Sequence, residues 1–498
     1  MTRQELEKTH KHYDAFKDGW LFYRRSYLGG QFYRDGNYLL QHSFESNATY
    51  KRRKEISYYY NYCTPIIDIF ISYLYRRGPE RSYGALSPEP VPPRRPRTLF
   101  DSFWWNCDFE GSTLDQFIRE AQKAASIYGR VSIIVDTPRV QASTQAEAIE
   151  QDLRPYLVLI TPEMLLDWRY AREANGKPVL VFVKILETED TDENGIAYKD
   201  YRIWTCNKWE LWRLRKNSSA PELIGSGDVP LGEIPLVNLY NKRMGMRMNG
   251  ISDIQDIAHI NKNIYYLCSD AKEIIENTAF PMLALPYQRG GSETREVGPK
   301  NILEFDPEQP NGKPFWFEPP HSSLTEIREW VQMDAQEIAR IAMMGGLRNV
   351  ETSTQPWSGA SITAQNQQLH SVLVEKATNA EQAELDIFRL WAKWQGTTFD
   401  GNVVYPREFD VKDLALSLQN LINARGAGVA SAAFERERQK AVAAVVLPGL
   451  DEAIRDSIKA EIDNSKTRGE GENVGDGIDA GSSASDMVGS EADNDAPV

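Results

Sequence analysis

Apolar residues recur at helical spacing over most of the first 80 positions, with Tyr13, Phe16, Trp20, Phe22 and Tyr23 making the opening run strongly aromatic. Gly29-Gly30 breaks that run. From about Lys51 the stripe resumes through Tyr62, Ile66, Ile69, Phe70 and Tyr73, which predicts one helix closed by Gly78-Pro79. The Pro- and Arg-rich stretch Ser87 to Arg97 reads as an exposed loop. Thr113 to Tyr128 places Leu114, Phe117, Ile118, Ala121 and Ala125 on one helical face, with Gly129 as its stop. Val131 to Val135 is β-branched and predicts a strand ending before Pro138; further strands are predicted at Tyr156 to Ile160 and Val179 to Leu186. Asn194-Gly195 is a hairpin turn signal, and Tyr201 to Trp204 and Trp209 to Leu214 continue an antiparallel pattern. Residues 113–240 therefore predict an α+β unit.

The middle of the chain changes character. Ile257, Ala258, Asn261, Ile264, Tyr265, Cys268, Ala271 and Ile275 predict a helix of about six turns from Ile254, ended by Phe280-Pro281. Short β stretches follow at Pro281 to Tyr287, Asn301 to Phe305 and Phe315 to Phe317. A second helix is expected from Ser323 to Met344, with Ser323 and Glu326 in capping-box spacing and Gly345-Gly346 as its end. Arg348 to Gly359 is a polar loop carrying Trp357. Ser361 to Gln395 then predicts a rod of roughly 50 Å, striped by Leu369, Val372, Leu373, Lys376, Ala380, Ala383, Ile387, Leu390, Trp391 and Trp394. Shorter helices are expected at Val411 to Ala424, Ser431 to Leu447 and Leu450 to Ile462. The acidic, Gly/Ser-rich residues 465–498 lack the apolar content to fold alone, so disorder is the expectation there.

The chain has 498 residues, 41% of them hydrophobic, enough for two to four structural units. Its net charge of −14 argues against wrapping DNA, because a phosphate-gripping protein ordinarily carries a basic excess. Either nucleic acid is not a partner, or it must pass without being held. Cys63, Cys107, Cys206 and Cys268 form no CxxC pair and read as reduced thiols. The polar start shows no apolar signal segment, and Pro65 to Leu74 is short and carries Asp68, well under the ~20 residues of a membrane span. A soluble intracellular product is the expectation.

Catalytic signatures are missing from the reading. There is no GxxxxGK[ST] loop, HExxH or GxSxG, and Gly225-Ser226-Gly227 is followed by Pro230 where a dinucleotide loop needs its third Gly. His10 and His12, two apart on an expected helix, should face different ways. His259, His321 and His370 stand singly, and Asp451-Glu452 reads as a solvated helix face. No catalytic residue, metal or cofactor is expected.

Several strings, taken in order, resemble the portal proteins of tailed bacteriophages. Tyr58 to Gly78 (YYYNYCTPIIDIFISYLYRRG) is similar to an early portal helix. Ala124 to Pro138 (AASIYGRVSIIVDTP) fits a G-x-x-x-x-x-V-D-x-P pattern, and Tyr156 to Tyr170 (YLVLITPEMLLDWRY) resembles the strand and turn reaching the family's Trp. Ile234-Pro235-Leu236-Val237 and Ile251 to Pro281 resemble the approach to the first stem helix and that helix itself. The likeness spans roughly residues 50–400 and lies more in the order of the strings than in any one of them.

The resemblance implies a mainly helical α+β portal fold: wing 1–250, stem helix 251–280, clip 281–322, stem helix 323–344, tunnel loop 345–360, long wing helix 361–400, helical crown 401–464 and acidic tail 465–498. It implies a non-enzymatic ring of twelve copies at one capsid vertex of the virion, made in the host cytoplasm and away from membranes. Double-stranded DNA would pass through without sequence specificity during packaging and ejection. Terminase, then a head–tail adaptor, would dock at the clip through Tyr287, Arg289, Arg295, Phe315 and Trp316; major capsid and scaffolding proteins are further partners. Channel candidates are Arg348, Asn349, Thr354 and Trp357 in the loop and Lys262, Lys272 and Arg328 on the stem, with a solvated helix face as the alternative for Lys262 and Lys272. Rival readings are another head structural or adaptor protein, and a DNA-processing enzyme with an unrecognised site.

Overall fold

A computed structural model describes residues 1–43, 45–86, 98–139, 144–193, 195–278, 282–286, 303–305, 313, 315–317, 322–342, 359–407, 409, 431–446 and 452–464. The chain divides into two compact units, Met1–Phe409 and Asp410–Val498.

The first unit opens with α1 (Arg3–Glu7), α2 (Lys11–Leu28) and α3 (Gly30–Arg34), and α2 stops where Gly29 takes a positive φ of 62°. The single helix expected from Lys51 to Tyr73 is in fact two, α4 (Asn47–Ile56) and α5 (Cys63–Leu74). The cause is local. Ser57 turns extended (φ −68°, ψ 137°) and its hydroxyl donates back to the Arg53 carbonyl, while Pro65 is tolerated only because it falls in a first helical turn. α5 is buried in the core through Ile66, Ile67, Phe70, Ile71 and Leu74. Among the described residues no helix is long and apolar enough to cross a membrane.

After β1 (Glu80–Ser82) and α6 (Leu99–Trp105), α7 (Leu114–Tyr128) runs from a Thr113 capping box to Gly129, whose φ of 89° favours glycine. β2 (Arg130–Asp136) follows, every residue buried. Beyond α8 (Gln145–Glu150), β3 (Tyr156–Ile160) pairs antiparallel with β2. β4 (Leu165–Arg172), β5 (Pro178–Thr191), β6 (Ala197–Thr205), β7 (Lys208–Arg215) and β8 (Glu222–Asp228) make a five-stranded antiparallel meander. The turn expected to end at Trp168 is instead the β4 strand, with Trp168 opposite Val183. Gly225-Ser226-Gly227 lies inside β8. β9 (Leu236–Tyr240) returns to the other edge of β2.

α9 (Gln255–Thr278) leads into β10 (Met282–Pro286), β11 (Leu303–Phe305) and β12 (Phe315–Phe317), a small sheet with β10 central. α10 (Ser322–Ile341) starts one residue before Ser323, so Ser323 is inside the helix rather than its cap. α11 (Gly359–Trp394) is the long rod, and β13 (Asn402–Val404) pairs back onto β1. One apolar core joins α2, α5, α6, α7, the β3–β2–β9 sheet, the start of α9 and the later turns of α11. A smaller core sits between α1 and the meander, built on Leu6, Leu166, Tyr201, Ile203 and Leu214. In the second unit, α12 (Ala432–Val446) and α13 (Glu452–Asn464) pack together, with Lys440 Nζ 2.7 Å from Asp463 Oδ1. The expected helix Val411 to Ala424 and the tail 465–498 lie outside the described residues.

Candidate functional site, a helix hairpin on the long helix

α9 is amphipathic along half its length only. Ile257, Ala258, Ile264 and Tyr265 are buried in the core, whereas Ile275 near its far end is 50% exposed. α10 runs back beside it, with the Asn263 side-chain amide donating to Asp334 at 2.7 Å, and re-enters the core at Ile338 and Ala342. On the outward side of α10, Trp330 and Met333 are more than half exposed. The two helices thus form a hairpin, about 36 Å long on the α9 side, with the small three-stranded sheet between them in sequence.

Polar contacts fix the base of this hairpin. Asn261 is fully buried on α9, yet its carbonyl accepts from Tyr59 Oη (2.9 Å) and Tyr62 N (3.1 Å) and its amide donates to Tyr60 O (2.8 Å). That clamp holds residues 57–62, the non-helical segment which separates α4 from α5. Arg53 of α4, 1% exposed at its side chain, donates to Glu45 at 2.8 Å, to Ser269 Oγ at 3.3 Å and to Asp270 at 3.5 Å. Its hydrogen bonds hold the Glu45 carboxyl below the usual carboxylate range, against a smaller opposing effect of burial.

The long helix grips the same base. Lys376 Nζ lies 2.6 Å from Asp253, two residues before α9, and also donates to Asn241. Glu384, fully buried on α11, accepts from Arg81 Nε at 2.7 Å. Burial pushes that carboxyl up and Arg81 partly offsets the rise. Near the end of α11, Arg389 and Lys393 both reach Glu233, at 2.8 and 2.7 Å, and the Trp394 indole donates to Val135 O at 2.8 Å.

Across α9 and α10 the sequence carries eight carboxylates (Asp256, Asp270, Glu273, Glu276, Glu326, Glu329, Asp334, Glu337) and four cations (Lys262, Lys272, Arg328, Arg340). The structure occupies three of the cations. Lys262 Nζ sits 5.6 Å from the Tyr38 and Tyr266 rings, Lys272 donates to Ile56 O at 2.9 Å, and Arg340 donates to Glu337. Arg328 is exposed and meets no partner among the described residues. Phe315 and Trp316 stand in β12 opposite Ala284 and Leu283. Tyr287, Arg289, Arg295, Arg348, Asn349, Thr354 and Trp357 lie outside the described residues.

The histidine expectation needs correcting. His10 is not on a helix; it is the N-cap of α2, its ring nitrogen accepting from His12 N, and its ring lies 5.0 Å from that of His12. Among the described residues no group of three or more His, Cys, Asp or Glu could hold a metal ion.

Arg53, Asn261, Asp253 and Lys376 were not singled out by pattern as site residues. The signal was present for two of them: a polar side chain at a stripe position (Asn261, Lys376) is affordable only with buried partners.

No protein of curated function matches the chain by sequence. A family described as a domain of unknown function, DUF4055, matches residues 253–395. That span opens two residues before α9 and closes one residue after α11. Among solved structures, the chain is similar to a chain in the neck of a native gene transfer agent particle computed with C12 symmetry, at 12% identity, covering 78% of this chain and 89% of that one with a TM-score of 0.41. It is also similar to a chain in the virion of a native gene transfer agent particle, at 11% identity, with 74% and 86% coverage and a TM-score of 0.40. A chain in the neck of an empty gene transfer agent particle computed with C6 symmetry gives 12% identity, 73% and 85% coverage and a TM-score of 0.40.

Proposed function

We propose that this chain is a portal subunit of a tailed-phage-like particle, a non-enzymatic conduit that assembles side by side with its copies around a DNA channel. One observation carries the reading: the α9–α10 hairpin is anchored at its base by hydrogen bonds and an ion pair but leaves Trp330 and Met333 more than half exposed on the outward side of α10. Neighbouring copies packed side by side can cover those side chains. The hairpin's eight carboxylates against four cations suit a wall that duplex DNA slides past, because repeated negative charge weakens phosphate contact. The portal-like order of sequence strings across residues 50–400 supports the same assignment, with the β10–β11–β12 sheet as the docking tip for motor and adaptor. Twelve copies, terminase, adaptor, capsid and scaffolding proteins are the partners this assignment brings with it.

Negative-stain microscopy of the purified full chain tests the reading. Closed rings with a central hole are expected; a monomer or compact dimer at every protein concentration overturns it. Metal-dependent cleavage of duplex DNA by the same preparation would put a DNA-processing enzyme in its place.

A further inference from the structure

In a chain of net charge −14, one surface is basic. A cleft of about 680 Å³ lies between the α1–α2 junction, β4 and the loop before α9, lined by Lys8, Lys11, Arg169, Tyr170, Met246 and Arg247. Lys8, Lys11, Arg169 and Arg247 are all exposed, and Lys242 and Arg243 stand exposed on the same loop. The one carboxylate lining the cleft, Asp167, is taken by Arg169 at 3.4 Å and is nearly buried. Among the described residues no carboxylate comes within 4.0 Å of Lys8, Lys11 or Arg247. Arg247 lies over the Tyr170 ring at 5.1 Å, so its fork is held rather than free.

The same chain carries a complementary projection. β4 pairs with β5 only as far as Leu165 opposite Ile185, whereas β5 runs on to Thr191 with β6 alone beside it. That overhang bears Glu187, Glu189, Asp190, Asp192 and Glu193. Arg202 holds Glu187 and Lys199 holds Glu189, but Asp190 and Glu193 are exposed with no cation partner among the described residues. Charges on a sheet edge also discourage edge-to-edge pairing, which alone would explain their sign but not an unneutralised basic cleft elsewhere. Within one copy the two features cannot meet. Arg169 pairs with Phe182, so Asp190 lies eight residues further along a hydrogen-bonded strand, about 26 Å away.

We propose that this cleft receives the acidic β5–β6 finger of an adjacent copy, a head-to-tail charge contact between subunits. The inference rests on the ring reading, since a heterologous contact that closes is what a ring requires. Carboxylates meeting guanidinium and ammonium groups there would set subunit register as well as attraction.

The test uses two variants of the full chain, Lys11→Glu with Arg247→Glu, and Asp190→Lys with Glu193→Lys. All four sites are exposed, and unchanged melting temperatures show that each variant folds. Each alone should need about tenfold more protein to form rings, and mixing the two should restore assembly, because a reversed finger then meets a reversed cleft in trans. Rings that form equally well in both variants, or a mixture that fails to recover, overturn the contact and leave the ring reading standing. Wild-type chain that never forms rings overturns both.

Discussion

Lys376 shows how a single residue ties the long helix to the hairpin. It sits on the apolar stripe of α11 at 1% exposure, and its ammonium meets Asp253, Asn241 and Ser126. Replacing Lys376 with Met keeps the packing of the stem but strands the Asp253 carboxylate. The expected loss of unfolding stability is about 3–5 kcal/mol, measurable by urea denaturation, and Asp253→Leu added to Lys376→Met should recover much of it. The periodicity placed Lys376 on the buried face correctly. Its partner was not legible, because Asp253 lies 123 residues away and outside any helical period. Asn261 repeats the lesson: its position on the stripe was readable, whereas the Tyr59 to Tyr62 segment that satisfies it is not marked by any pattern.

At the scale of elements, the Arg53 guanidinium ties α4 both to Glu45 in the turn before it and to Ser269 and Asp270 of α9, so the hold on α4 should depend on the charge of Glu45 and hence on pH. Glu45 titrates below the ordinary carboxylate value because Arg53 hydrogen-bonds to its ionised form. A depressed carboxyl contributes stability that is whole above the unfolded value near ~4.3 and is lost as pH falls through the folded one. Acidification from about pH 5 to 3 should therefore release α4, seen as faster amide exchange across Asn47–Ile56 than across α5. Glu45→Gln should remove that dependence; exchange in α4 that stays flat with pH in the wild type would refute the account. Most elements were legible where period and punctuation agreed, as for α7 with its Thr113 cap and Gly129 stop, or the three short strands after α9. The α4–α5 break was not, because Tyr58 to Tyr62 continues the apolar stripe while tertiary hydrogen bonds with Asn261 hold it out of a helix. β4 was missed for a related reason: Leu165 to Trp168 is buried without a clean alternation, so it resembled a turn after a strand.

For the whole molecule, the order helix, small sheet, helix, long helix was readable from sequence. Ile338 of α10 and Ala342 just past its end face the core, while Trp330 and Met333 of the same helix face outward. The helical stripe of residues 323–344 takes in Ile338 and Ala342 and leaves out Trp330 and Met333, so the two sides were legible in the sequence and the structure adds how far each is exposed. That asymmetry separates stability from assembly. Trp330→Ser with Met333→Ser removes no core contact, so the melting of the unassembled chain should shift by no more than about 0.5 kcal/mol in stability. On the ring reading the same pair lies between copies, where apolar area excluded from water supplies much of the association. The double variant should consequently stay monomeric at protein concentrations where the wild type forms rings, as sedimentation velocity would show. Ile338→Ser should do the reverse, lowering the melting temperature sharply, because it opens the core beneath the hairpin rather than its outer face. A Trp330 and Met333 variant that still assembles at wild-type concentrations would mean the exposed face belongs to some other contact, and the proposal that the hairpin lines a channel would lose the observation that carries it.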